Sequence, residues 1–81
     1  MKATIYKTVD GQKKPVMEYR LEGDTVIPSD SSAVFHQNME VSGVLLRLNG
    51  TNEKVYPSDG KRFLEALKDF QGTYLWAQVR E

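Results

Sequence analysis

Hydrophobic and polar residues alternate with a period of two over much of this chain, as in β-strands that bury one face. Residues 2–9 and 16–22 follow this alternation and are rich in β-branched and aromatic residues. Asp10 and Gly11 lie between the two segments and form a turn signal. The start of the chain therefore predicts a β-hairpin.

The register of this hairpin has two solutions. A two-residue turn at 10–11 would place Met17 and Tyr19 on the face of Tyr6. A five-residue loop over 10–14 would group four apolar residues on one face: Ala3, Ile5, Tyr19 and Leu21. We favour the longer loop, because burial of one apolar face sets register more strongly than a turn dipeptide.

The C-terminal half predicts a second hairpin, a helix and a last strand. Residues 43–57 alternate around an Asn-Gly-Thr-Asn loop at 49–52. Four apolar residues then recur at helical spacing: Phe63, Leu64, Leu67 and Phe70. We expect Ser58 or Asp59 to cap this helix and Gly72 to follow its end. Residues 74–79 predict the final strand.

Between the hairpins, residues 25–27 predict a short strand that ends at Pro28, and residues 28–42 are ambiguous. The polar run at 29–32 would cap a short helix, because such side chains satisfy free N–H groups at a helix start. A period of two also fits the apolar residues Ala33, Phe35, Met39 and Val41. We expect extended structure here.

These elements indicate an α+β fold in which residues 1–81 form one domain. One helix covers only one face of a sheet, so the architecture is a small, mostly antiparallel sheet of four to six strands. The amphipathic helix near the C-terminus packs on one of its faces.

Composition narrows the function classes. Eleven acidic and eleven basic residues give a formal charge of zero, which makes nucleic-acid binding unlikely. There is no cysteine, so disulfides and thiolate chemistry are excluded. The longest apolar run, Val44–Leu46, is far too short to cross a membrane, and no signal-peptide pattern follows Met1. We expect a cytoplasmic location, no membrane partner and no cofactor.

His36 is the only histidine, and three carboxylates lie near it in sequence: Asp24, Asp30 and Glu40. Metal and catalytic sites need several groups in a defined geometry, which this scatter does not provide. Together with Asp30 and His36, the nearby serines supply the residue types of a hydrolytic triad, but no Gly-x-Ser-x-Gly elbow surrounds them: Ser29, Ser31 and Ser32. Asp59 opposes anion binding by Lys61 and Arg62 at the helix start. We predict no catalytic residue and no metal ligand.

The aromatic residues give the strongest functional prediction. If Leu75, Ala77 and Val79 face the helix, then Tyr6, Tyr74 and Trp76 lie together on the other face of the sheet. Exposed aromatic surface usually marks an interaction site. An equally good alternative is that residues 28–42 fold over this face and form a second core. We expect a non-enzymatic module that binds a protein, most simply a second copy as a homodimer, through this face or a sheet edge.

Two other classes remain open. A single-stranded nucleic acid would stack its bases on the same aromatic face, with Lys7, Lys14 and Arg20 contacting phosphates. A small enzyme or ligand site around His36 ranks behind both.

Overall fold

In a computed structural model, which describes residues 1–48, 50–70 and 75–81, the chain has an α+β fold. Its elements are, in chain order, β1 (Lys2–Val9), β2 (Gln12–Glu22), β3 (Thr25–Pro28), α1 (Val34–Ser42), β4 (Val44–Leu48), β5 (Thr51–Val55), a 3₁₀ turn (Pro57–Asp59), α2 (Lys61–Leu67) and β6 (Leu75–Arg80). A four-stranded sheet has the order β3-β2-β1-β6, and β4 and β5 form a separate two-stranded sheet. Every strand pair in the described part of the chain is antiparallel. The predicted fold class is confirmed.

The first hairpin combines a tight turn with a bulge. Asp10 and Gly11 both have positive φ, at 53° and 77°, so the turn has two residues and Val9 pairs with Gln12. The five-residue loop that we favoured is therefore wrong. The register then shifts by one residue at Val16, so that Ile5 pairs with Met17. Because of this shift, the predicted apolar face forms despite the tight turn.

The buried core lies on that face of the sheet. Ala3, Ile5 and Tyr19 are fully buried, and Leu21 packs against the same cluster. The helix α2 contributes Phe63, Leu64, Ala66 and Leu67, and the second hairpin contributes Val44 and Val55. The predicted packing of this helix on one face of the sheet is confirmed, with Phe70 partly buried beyond the helix end.

Residues 34–42 form the helix α1, so the expectation of extended structure is wrong there. The spacing of Phe35 and Met39 fits a helix as well as a strand, and the structure places both toward the core. The polar run before α1 does not cap it, since Ala33 is the N-cap and no side chain bonds to the free N–H groups. Asp30 instead accepts the backbone N–H and the hydroxyl of Ser32 in a local turn.

The second hairpin is tighter than predicted, because Leu48 already pairs with Thr51. The N-cap of α2 is Gly60 rather than Ser58 or Asp59. Gly60 has φ 65°, and a Cβ atom there would lie 2.3 Å from the carbonyl oxygen of Asp24. Only glycine permits this approach between the β2–β3 turn and the start of α2. Gly72, the predicted helix stop, lies outside the described residues.

Within the described residues, no helix has both the length and the apolar character needed to span a membrane.

Candidate functional site

The face of the four-stranded sheet opposite the core carries a stacked aromatic pair. Tyr6 of β1 pairs with Trp76 of β6, and strand alternation points both away from the buried Ile5 and Ala3. The two ring centroids are 4.7 Å apart, with 28° between the planes. Both residues are only half-buried. Two of the three residues predicted for this surface therefore come together, and Tyr74 lies outside the described residues.

A lysine covers part of this pair. Lys13 of β2 lies opposite Thr8 of β1, and its Nζ is 4.5 Å from the Tyr6 ring centroid and 5.6 Å from that of Trp76. A cation over an aromatic face is attracted by the quadrupole of the ring. No carboxylate in the described part of the chain lies within ion-pair distance of Lys13. Tyr6, Trp76 and Lys13 are called the aromatic cluster below.

The same face carries further charges toward the other end of the strands. Lys2 bonds to Glu18 at 3.4 Å, and Arg20 bonds to Glu22 at 2.8 Å. The guanidinium of Arg80 donates to the side-chain oxygen of Gln78 at 3.4 Å. The face thus combines one apolar patch with mixed charge, and two of its cations, Lys13 and Arg80, lack an acidic partner among the described residues.

Both helices lie on the other side of the sheet. The buried Tyr19 ring contacts Phe35 and His36 of α1 and Phe63 of α2, with ring centroids 6.3, 5.6 and 5.0 Å away. Since Tyr19 belongs to the core face, α1 packs there too and does not cover the aromatic cluster. The described residues therefore do not support cover of the aromatic face by residues 28–42, although Trp76 shares a depression with Lys68, Asp69 and Phe70 beyond α2.

The prediction that three cations lie on this face is wrong for two of them. Lys7 and Lys14 pair with each other, and strand alternation puts them on the same side as Ile5. Only Arg20 lies on the aromatic side. Lys13 was not predicted for this face, although the two-residue turn indicates it: with Val9 opposite Gln12, Lys13 falls opposite Thr8 and next to Tyr6.

His36 belongs to a separate, mostly internal hydrogen-bond chain. Its Nδ1 lies 2.9 Å from the Tyr19 hydroxyl, and its Nε2 lies 3.3 Å from a carboxylate oxygen of Glu40. Burial, and secondarily the charge of Glu40, raise the pKa of Tyr19, so its hydroxyl keeps its proton. In the tautomer with the ring proton on Nε2, the Tyr19 hydroxyl donates to Nδ1 and Nε2 donates to Glu40.

These hydrogen bonds are better suited to holding α1 against the sheet than to catalysis. Tyr19 is fully buried and His36 is 6 % exposed, so neither offers a reactive atom to a large substrate. His36, Glu40 and Asp24 line a shallow depression. In the described part of the molecule, no three His, Asp or Glu side chains converge as metal ligands.

The other weak sequence candidates are not assembled into a site. The bonds of Asp30 go to Ser32, while His36 uses Tyr19 and Glu40, so the residues of a hydrolytic triad do not meet. Hydrogen bonds from Ser32 lower the pKa of Asp30.

The cations at the start of α2 are already paired. Arg62 bonds to Glu53 and Lys61 to Glu65, while the Asp59 carboxylate accepts the backbone N–H of Tyr56. No anion site is built there from the described residues.

Comparison with known proteins adds no relative from which a function could be transferred. No protein-family model, no curated protein and no solved structure matches this chain.

Proposed function

We propose that this protein is a non-enzymatic interaction module that associates with a second copy of itself through the aromatic face or an edge of the four-stranded sheet. The observation that carries the proposal is the Tyr6–Trp76 stack, half-buried on the side away from both helices. Tyrosine and tryptophan combine large apolar area with little loss of side-chain freedom, which makes them frequent interface hot spots.

Electrostatics permit a second copy to approach. The chain has eleven acidic and eleven basic residues, so two copies experience no net long-range repulsion. The sheet face carries both signs of charge, in the pairs Lys2–Glu18 and Arg20–Glu22. Removing the aromatic cluster from water would contribute roughly 25 cal/mol per Å² of apolar area.

Light scattering on the wild type and on Trp76→Ala tests the proposal. We expect a mass that rises with concentration toward twice the 9.2 kDa of one chain, and a shift toward monomer in the variant. Trp76 is the only tryptophan, so its fluorescence should become less accessible to a soluble quencher as the dimer forms. Val41→Ala is the matched control, because Val41 is apolar and 81 % exposed on α1.

A wild-type chain that stays monomeric at millimolar concentration, with a freely quenched Trp76, would refute self-association. Unfolding of Trp76→Ala would be detected by circular dichroism. In that case Trp76→Phe, which keeps an aromatic ring in the sheet, is the replacement variant, and it should weaken the dimer less than a folded Ala variant would.

Binding of single-stranded nucleic acid is the second candidate, and one observation favours it. The aromatic face carries four cations, Lys2, Lys13, Arg20 and Arg80, against the two acids Glu18 and Glu22. A titration with oligo-dT and oligo-rU, followed by Trp76 fluorescence, separates the two functions. Submicromolar binding that falls steeply with salt would favour the nucleic-acid function.

A further inference from the structure

The two edges of the four-stranded sheet are protected to different degrees. One edge is β3, which has four residues and ends at Pro28, a residue that cannot donate a backbone hydrogen bond. The other edge is β6, with the six residues Leu-Trp-Ala-Gln-Val-Arg. It contains no proline, no glycine and no lysine, and its single charge lies at its last residue. Natural edge strands usually carry proline, lysine or other charged residues, which prevent pairing with another strand.

Among the described residues, no strand lies on the outer side of β6, while Lys68, Asp69 and Phe70 line a depression with Trp76 and Ala77. Within the described residues β6 pairs only with β1, and no other backbone hydrogen bond involves it. The residues from Leu75 to Val79 are half-buried on both faces of the sheet. This is expected for an edge strand that has a neighbouring strand on one side only. The outward backbone N–H and C=O groups therefore form a template for a further strand.

We infer that the occupant of this edge is β6 of a second copy, paired antiparallel about a two-fold axis to give a continuous eight-stranded sheet. This inference rests on the proposed function and names the way in which the second copy docks. A two-fold axis perpendicular to the sheet requires no second sequence, because the same six residues supply both sides of the ladder. It also keeps the aromatic clusters of both copies on one face.

The side chains select the register. Under this symmetry, opposed residues must point to the same face, so β6 pairs about either Ala77 or Gln78. Pairing about Gln78 places Trp76 opposite the partner's Arg80, and places Arg80 opposite the partner's Trp76. Among the described residues of its own chain, Arg80 bonds only to Gln78, at 3.4 Å. The edge register gives its guanidinium an aromatic face on which to stack, twice in each dimer.

Single-cysteine variants test this geometry, because the chain has no cysteine of its own. Directly opposed residues in an antiparallel pair have Cα atoms about 4.5–5.5 Å apart, which is within disulfide reach. Gln78→Cys should therefore form an intermolecular disulfide under mild oxidation. Thr4→Cys is the control, since Thr4 pairs with Gln78 on the same face but belongs to the inner strand β1. In an edge-paired dimer, the two copies of Thr4 are about three strand spacings apart, roughly 14 Å.

The outcomes separate the edge from the face. Rapid cross-linking of Gln78→Cys without cross-linking of Thr4→Cys supports edge pairing. Equal or faster cross-linking of Thr4→Cys in a dimer that depends on Trp76 overturns the edge inference and indicates face-to-face stacking, while self-association stands. A chain that never dimerises refutes the proposed function itself.

The selected register has its own test. Arg80→Gln should weaken the dimer roughly 5–30-fold, because two cation–π contacts are lost. Arg20→Gln removes a cation from the same face but near the β3 edge, and it should leave the dimer unchanged. An unchanged dissociation constant in Arg80→Gln would overturn the Gln78-centred register.

Discussion

The two helices are attached to the same face of the sheet by different interactions. The helix α2 has seven residues, and four of them are buried apolar side chains: Phe63, Leu64, Ala66 and Leu67. The helix α1 has nine residues but buries only Phe35 and His36. Apolar area attaches α2, whereas α1 depends on the Phe35 ring, which packs on Tyr19 and Phe70, and on the hydrogen bonds of a histidine.

This difference affects how each helix responds to damage. Apolar contacts are spread over many atoms, and their loss scales with the volume removed. A hydrogen bond adds little net stability, but a buried polar group that loses its partner is costly. We therefore expect α2 to be sensitive to side-chain size and α1 to be sensitive to the pairing of its polar groups.

The largest expected effect is at α2. Leu67→Ala should lower the free energy of unfolding by roughly 2–5 kcal/mol, because Leu67 is fully buried and the truncation leaves a cavity. Val41→Ala in α1 is the matched control, and it should change stability by less than about 0.5 kcal/mol. Urea denaturation measures both. An unchanged midpoint in Leu67→Ala would contradict the assignment of α2 to the core.

A smaller effect is expected for the polar attachment of α1. His36→Ala leaves the Tyr19 hydroxyl buried without its partner, at a cost of roughly 1–3 kcal/mol. Adding Tyr19→Phe removes that unpaired hydroxyl, so the double variant should lose less stability than the sum of the two single variants. Additive losses in a double-mutant cycle would show that the two side chains are not coupled.

The smallest effect appears only at alkaline pH. The folded-state pKa of Tyr19 is raised above the unfolded value of about 10, first by burial and then by the charge of Glu40. The unfolded chain therefore releases this proton first. The contribution of Tyr19 is fully present below pH 10 and decreases as the pH rises above it.

The stability advantage of the wild type over Tyr19→Phe measures this contribution, because all other titrating groups are common to both chains. Urea denaturation between pH 8 and pH 11 should show the advantage shrinking above about pH 10. An advantage that stays constant over this range would mean that Tyr19 ionises equally in the folded and unfolded chains.

The sequence predicted the elements that bury an apolar stripe and missed the one held by polar bonds. The stripe of α2 has only one periodic interpretation, so its helix was found. In α1, Phe35 and Met39 satisfy both a strand and a helix, and the decisive contact of His36 with Tyr19 joins residues 17 positions apart. No local pattern reveals such a contact.

The candidate site shows the same limit. Alternation of β1 and β6 was sufficient to place Tyr6 and Trp76 on one face, since neither strand contains a bulge in their pairing. Lys13 was missed because its position depends on the turn, and the sequence analysis rejected the two-residue turn in order to keep the apolar face intact. The two-residue turn and the intact apolar face are compatible, because the extra residue at Val16 shifts the register between them.

That extra residue also bears on how the hairpin forms. Strand pairing that propagates from the Asp10-Gly11 turn keeps a single register. Beyond Val16, this register would place Met17 and Tyr19 on the face opposite the other core residues. The turn sequence alone therefore does not set the register of the whole hairpin. The correct register near Tyr19 is stabilised when rings from the helices, Phe35 of α1 and Phe63 of α2, pack against Tyr19. We therefore expect the residues next to the turn to pair early in folding, and the residues around Tyr19 to pair when the helices dock.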